Sequence, residues 1–210
     1  SAGAPLTQLW DSLGNSVLAS TLAAIVTTAL SIPLAVAIVR HSGRFAWFLE
    51  RVSFVGFALP GVVVALSLVY FGSIIARPIY QTLWLLVFAY VVLFFPAALG
   101  AVRAALLQVN PRYEEAARSL GRTAVETAAT VSIPLMRHGL MAGAALVFLL
   151  AMKELPATLI LGPIGFKTLA TSAWSAASEA FFARAAAPAI LTILASSIPL
   201  AIMLSSTRRG

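Results

Sequence analysis

Five stretches without an Asp, Glu, Lys, Arg or His constrain this chain more than any other feature: Ser12–Val39, Val52–Ala76, Pro78–Val102, Gly139–Met152 and Ala185–Thr207. About 20 consecutive apolar residues cross the hydrocarbon core of a bilayer. Four of the runs meet that length alone. The fourth in chain order reaches it only by continuing through Lys153 and Glu154 to about Leu161. The expectation is an all-α fold: a polytopic transmembrane bundle of five helices, the fourth interrupted, forming one domain over residues 1–210. The runs are continuous rather than alternating with period two, which argues against a barrel. With 60% apolar and 10% charged residues, the chain has too little polar surface for a soluble globule, in which about 25% charged is ordinary. The same hydrophobicity excludes disorder, and the absence of cysteine excludes a disulfide scaffold.

The formal charge of +7 raises a nucleic-acid reading, which requires basic residues gathered on a water-exposed face. Their positions mark the loops of one membrane side instead. Arg40, Arg44 and Arg51 follow the first run; Arg103, Arg112, Arg118, Arg122 and Arg137 lie between the third and fourth; Arg208 and Arg209 end the chain. Only Arg77, Lys153, Lys167 and Arg184 remain for the other side or the membrane. The positive-inside rule makes the richer side cytoplasmic. That puts the N-terminus outside and the C-terminus in the cytoplasm, with the bilayer as partner and no nucleic acid. The opening Ser1-Ala2-Gly3-Ala4-Pro5 has neither an initiator Met nor a basic signal region. The preferred expectation is a piece of a longer membrane chain with at least one helix upstream; the alternative is a processed N-terminus.

The long polar stretch, Arg103 to Arg137, carries its own helix signals. Asn110 can cap a helix whose first residue is Pro111, where the missing N–H costs nothing. Glu114 and Glu115 lie near the start, where the helix dipole favours them. Gly121 can adopt the left-handed conformation that ends it. A helix of about ten residues is expected, roughly 15 Å long. A second helical stretch, Arg122–Thr130, follows before Ile133-Pro134 re-enters the membrane. Such a helix suits presentation to a partner. An amphipathic loop helix lying on the lipid surface is the competing reading.

Glu115-Ala116-Ala117, three residues, Gly121, nine residues, then Val131-Ser132-Ile133-Pro134 resembles the EAA motif of ABC importer permeases, E-A-A-x3-G-x9-I-x-L-P. The departures are Val for Ile and Ile for Leu. With three spans before the loop and two after, the resemblance covers nearly the whole chain and implies the five-helix core of a type I importer permease in a bacterial inner membrane. It further implies that residues 103–137 hold a coupling helix that docks on an ATP-binding subunit, with Glu115, Ala116, Ala117 and Gly121 forming the coupling element. Arg118 and Arg122 flank the contact by position. No G-x-x-x-x-G-K-[ST] phosphate loop occurs in the chain. The expectation is a transport subunit, not an enzyme, without a cofactor of its own, with ATP and Mg on a partner ATPase dimer. A second permease half and an external substrate-binding protein complete the implied partners.

Lys153 and Glu154 stand where an ionisable group is costly, and Pro156 removes a helix hydrogen bond just beyond them. Two readings stand side by side: these three residues belong to the pathway or its outer gate, or they are structural partners at a proline kink. Gly162-Pro163-Ile164-Gly165 reads as a turn. Thr168–Phe181 then reads as an interfacial helix on the outer side, a seat for a substrate-binding protein. Lys153-Glu154-Leu155-Pro156-Ala157-Thr158-Leu159-Ile160-Leu161, with Gly165-Phe166 and Thr168-Leu169-Ala170-Thr171, is similar to the permeases of ferric-iron importers, usually long chains of two fused halves. The resemblance implies a C-terminal half and ferric iron as the cargo. Lys167 and Gly162 depart from that pattern, and thiamine, sulfate and phosphonate importers stay open.

No metal site is expected in this chain. A ferric site wants hard oxygen ligands or Tyr and His, and the two histidines, His41 and His138, read as interfacial residues at helix ends. Gly139-x-x-x-Gly143 reads as a helix-packing motif. A secondary transporter or channel without an ATPase is the alternative class, since a broken helix with charges suits both. A non-transporting scaffold is a third. The EAA spacing is expected of the importer alone.

Overall fold

In a computed structural model of the chain, residues 6–41 and 43–207 are described. The residues Ser1–Pro5 behind the upstream-helix expectation, and Arg208 and Arg209 of the charge argument, lie outside them. The described residues are helical, with no strand among them. In chain order the helices are α1 (Leu6–Arg40), α2 (Arg44–Phe54), α3 (Gly61–Ile74), α4 (Leu83–Gln108), α5 (Pro111–Ser119), α6 (Ala124–Thr127), α7 (Ile133–Leu135), α8 (Arg137–Met152), α9 (Pro156–Leu161), α10 (Leu169–Ser178) and α11 (Phe182–Thr207).

Helix α4 is the central post. It is apolar on all sides and buried nearly all round, from Leu85 to Leu106, as expected of a helix enclosed by others. Helix α1 packs along α4 and α8 through a stripe of small and hydroxylated side chains. Ser12, Ser16, Ser20, Ala23, Thr27, Ser31 and Ala35 are all buried, and their near-regular spacing of four residues puts them on one face. Small residues let helix backbones approach closely inside a membrane. The same device joins α8 to α4. Gly139 lies against Ala105, and a Cβ on Gly143 would sit 3.3 Å from the Ala101 side chain. The packing role expected of Gly139 and Gly143 is the one they have.

Helices α1, α4 and α11 are each long and apolar enough to cross a bilayer, and two bent helix pairs bring the number to five if each counts as one span. The pairs are α2 with α3, and the stretch Ala124–Leu135 with α8. The latter is bent by 77° at Met136 and ends at Met152, rather than continuing through Lys153 and Glu154 to Leu161 as expected. The first pair also corrects the sequence expectation. Val52–Ala76 was expected to form a single helix. Instead α2 and a following 3-10 turn (Val55–Ala58) meet α3 at 101°. Pro60 accounts for the break: a proline drives its predecessor out of the helical region, and both Leu59 (ψ 121°) and Pro60 (ψ 137°) are extended. Gly56 fixes the corner against α4, where a Cβ would stand 2.9 Å from the Val92 carbonyl oxygen. Helix α2 therefore runs across the direction of α3. It carries exposed Phe45, Trp47 and Phe48, Arg51 sits over the Trp47 ring at 4.4 Å, and Glu50 pairs with Arg103 of α4 at 3.1 Å. The third span also starts later than its charge-free run, at Leu83 rather than Pro78. A short 3-10 turn (Arg77–Ile79) and Gln81 at φ 57° come first.

Past the break at Lys153–Leu155, α9 packs on α3 and α4, and α10 packs on α11 and α1. The expected helix Thr168–Phe181 is α10, three residues shorter at its end, where Ala180 turns the chain at φ 62°. Thr168 and Thr171 cap its start reciprocally. The Ser16 hydroxyl accepts the Leu169 N–H at 2.8 Å, Ser12 and Ser172 hydroxyls meet at 3.0 Å, and the Asn15 amide donates to the Lys167 carbonyl at 3.0 Å. These bonds tie α10 to the first turns of α1.

Candidate coupling helix and membrane break

Helix α5 is built by the signals read from its sequence. The Asn110 side chain accepts the Arg112 N–H at 3.0 Å, and Pro111 takes the first helical position. At the other end the Arg122 N–H reaches the Ala117 carbonyl at 3.2 Å and the Gly121 N–H reaches Arg118 at 3.0 Å. With Gly121 at φ 87°, this is a Schellman ending. The following stretch begins at Ala124, two residues later than expected, under a capping box in which Thr123 and Glu126 bond each other's backbone N–H. Those bonds hold the Glu126 carboxyl below its ordinary pKa, the Thr123 N–H first and its hydroxyl second. A π-helical segment (Ala128–Ser132) and α7 lead into α8.

The two faces of α5 divide the expected coupling residues. Glu115, Ala116, Arg118 and Gly121 are exposed, whereas Ala117 is buried with Glu114. Ala117 thus lets the helix lie close to its own protein, and the outer surface is apolar at Tyr113, Ala116 and Leu120, with Leu120 83% exposed and Val125 nearby in sequence at 79%. Arg122 is turned back to the Thr130 hydroxyl. Tyr113 and Leu120 escaped the motif reading. Their signal was an apolar i, i+3, i+7 series with Ala116 in an otherwise polar loop.

Glu114 was read only as a favourable charge near a helix start. Its carboxylate accepts from the Arg40 guanidinium, at 3.0 Å from Nε and 3.2 Å from Nη2, and from the Ser132 hydroxyl at 2.7 Å. Arg40 also donates to the Val109 carbonyl at 3.0 Å, at the end of α4. One nearly buried ion pair joins the ends of α1 and α4, α5 and the π segment.

At the membrane break, Lys153 is exposed and Glu154 half-buried, and no ion pair forms between them among the described residues. The Glu154 carboxylate instead accepts the Ala157 N–H at 3.1 Å, and its backbone carbonyl accepts the Thr158 hydroxyl at 2.6 Å. The Thr158 and Tyr90 hydroxyls meet at 2.5 Å. Pro156 corrects the kink expectation. It is the first residue of a new helix, α9, where a proline needs no N–H. Glu154 also abuts Gly61, the first residue of α3, so it sits beside the starts of two helices. His41 and His138 are exposed, and no group of three or more His, Asp or Glu side chains able to hold a metal occurs among the described residues.

The chain is 37% identical over 193 residues to the Fe(3+)-transport system permease protein FbpB 2 of Haemophilus influenzae, a match covering 92% of this chain and 38% of the relative. It is 33% identical over 149 residues to the sulfate transport system permease protein CysT of Salmonella typhimurium, covering 60% of this chain and 54% of that one. The chain thus spans well under two-thirds of either relative's length. A solved structure of the MetNI methionine ABC transporter, in inward-facing conformations, shares the fold with a TM-score of 0.72. It covers 97% of this chain and 94% of its own, at 14% identity. The model of the binding-protein-dependent transport system inner membrane components matches residues 27–209, and the chain belongs to that family.

Proposed function

We propose that this chain is the permease unit of an ATP-driven importer that receives its substrate from an external binding protein and releases it to the cytoplasm. The observation that carries the reading is α5, capped at both ends, with Glu115, Ala116, Arg118 and Leu120 displayed outward. A short rigid helix with an exposed apolar stripe serves to dock in a groove of another protein. That protein is an ATPase dimer holding ATP and Mg, and α5 is the coupling helix. The basic residues around α5 put it on the cytoplasmic side, with the N-terminus of this segment outside and its C-terminus inside. A second permease half, fused or separate, completes the pathway, in which Lys153, Glu154 and Pro156 mark the break of the fourth span.

Ferric iron is the proposed cargo, supported by the 37% identity to an Fe(3+) permease over nearly the whole chain. Sulfate is the second reading, supported by the shorter sulfate-permease match. Co-purification tests the coupling assignment. Ala116→Asp with Gly121→Asp is expected to release the ATPase subunit, and undiminished ATPase binding and transport in that double variant refutes it. Stimulation of ATPase activity in proteoliposomes by binding proteins loaded with ferric iron, thiamine or sulfate decides the cargo. A response to another protein and none to the iron-loaded one removes iron.

A further inference from the structure

Helix α5 packs on α6 and on the π segment that follows, while its charged link to the long helices is the Glu114 carboxylate. That link is unusually dense. Glu114 takes two bonds from Arg40 and one from Ser132, and Arg40 adds a bond to the Val109 carbonyl. The side chains are only 15% and 10% exposed. A fork of guanidinium donors on a carboxylate fixes orientation as well as distance. Ser132 closes a π-helical turn, a geometry that is rare and concentrates at functional sites. Arg40 ends α1, whose 35 residues run the length of the bundle against α4 and α8. The joint stands beside the two-residue link Val109-Asn110 that connects α4 to α5, and it adds α1 and the π segment to that connection.

On the importer reading, we propose that Arg40, Glu114 and Ser132 are positioning residues that convert displacement of the coupling helix into movement of α1 and of the π segment leading into α8. They touch neither ATP nor cargo. Their role is mechanical, and it differs from that of the outward face, which binds the ATPase. Loss of the joint therefore separates hydrolysis from transport without removing the docking surface.

The test uses the complete transporter in proteoliposomes and measures substrate moved per ATP hydrolysed, normalised to the ATPase subunit retained. Glu114→Gln keeps the shape and removes the charge; Ser132→Ala removes one hydrogen bond. In complexes that still hold the ATPase, E114Q is expected to lower transport per ATP about threefold to tenfold, with a smaller drop for S132A. The exchange Arg40→Glu with Glu114→Arg is expected to recover part of the loss. A ratio equal to the unaltered protein in both single variants overturns the joint, as does transport that falls only in proportion to lost complex. If E114Q does not assemble, S132A decides by the same ratio. Failure of the unaltered chain to hold any ATPase subunit would instead overturn the importer reading itself.

Discussion

Gly139 of α8 lies so close to Ala105 of α4 that a Cβ on the glycine would collide with the alanine's own. The neighbour is a short side chain on a helix backbone, so it has no flexible end to swing away. Gly139→Ala is expected to destabilise the bundle by about 1–3 kcal/mol, the usual cost of overpacking. Adding Ala105→Gly reopens the space and is expected to recover most of the loss. Gly143→Ala, with its nearest neighbour at 3.3 Å, should cost less. Thermal unfolding in detergent micelles measures all three, and equal midpoints for Gly139→Ala and the unaltered protein would contradict the packing.

Gly121 presents a conformational requirement, not a spatial one. Nothing lies within 4 Å of a Cβ built there, but its φ of 87° suits glycine. Gly121→Ala is expected to cost about 1 kcal/mol through backbone strain alone, loosening the Schellman ending. Hydrogen exchange checks it: the Arg122 amide, bonded to Ala117, should lose protection while amides in α4 keep theirs.

The parts legible in the sequence are those fixed by local chemistry. Asn110-Pro111 and Gly121 set both ends of α5 within a residue or two, because capping depends on neighbours in the chain. Charge-free runs located the spans of α1, α4 and α11, since burial in lipid acts on each residue separately. The corner at Leu59–Pro60 had a signal in Pro60-Gly61, but Pro33 and Pro96 stand inside unbroken helices, so a proline in an apolar run does not by itself say which run bends. Lys153 and Glu154 disclosed the break between α8 and α9 because they are charged. Glu114 stands in the first turn of α5 as expected, but its ion pair was not legible, because its partner Arg40 is 74 positions away and only the packing of α1 on α4 brings the two together. The stripe from Ser12 to Ala35 was present as a spacing, but serine and threonine in an apolar run register simply as uncharged residues.

Acid should loosen the start of α6. Glu126 has its pKa lowered by the Thr123 N–H and hydroxyl, so the folded form favours the ionised carboxylate. The stabilisation is complete above the unfolded-state pKa, about 4.3 for glutamate, and is lost as pH falls through the lower folded value. Glu126→Gln should weaken that dependence. Amide exchange at Thr123 followed across this acidic range is the measurement, and an unchanged pH profile in the variant would show that the capping box does not set it.

Glu154 and Gly61 give a sharper test of what the membrane break needs. A Cβ on Gly61 would stand 2.9 Å from the Glu154 Oε1 that accepts the Ala157 N–H. Gly61→Ala should push the carboxylate off that bond, at a cost of about 1 kcal/mol for a lost hydrogen bond. Glu154→Ala removes the same bond outright and also removes the clash. If the carboxylate is what couples α3 to α9, Gly61→Ala should cost little in the Glu154→Ala background, and the two effects will fall short of additive. Unfolding midpoints for the two single variants and the double variant measure the coupling. Strict additivity would mean that Glu154 and Gly61 act independently, leaving α3 and α9 joined by their apolar contacts alone.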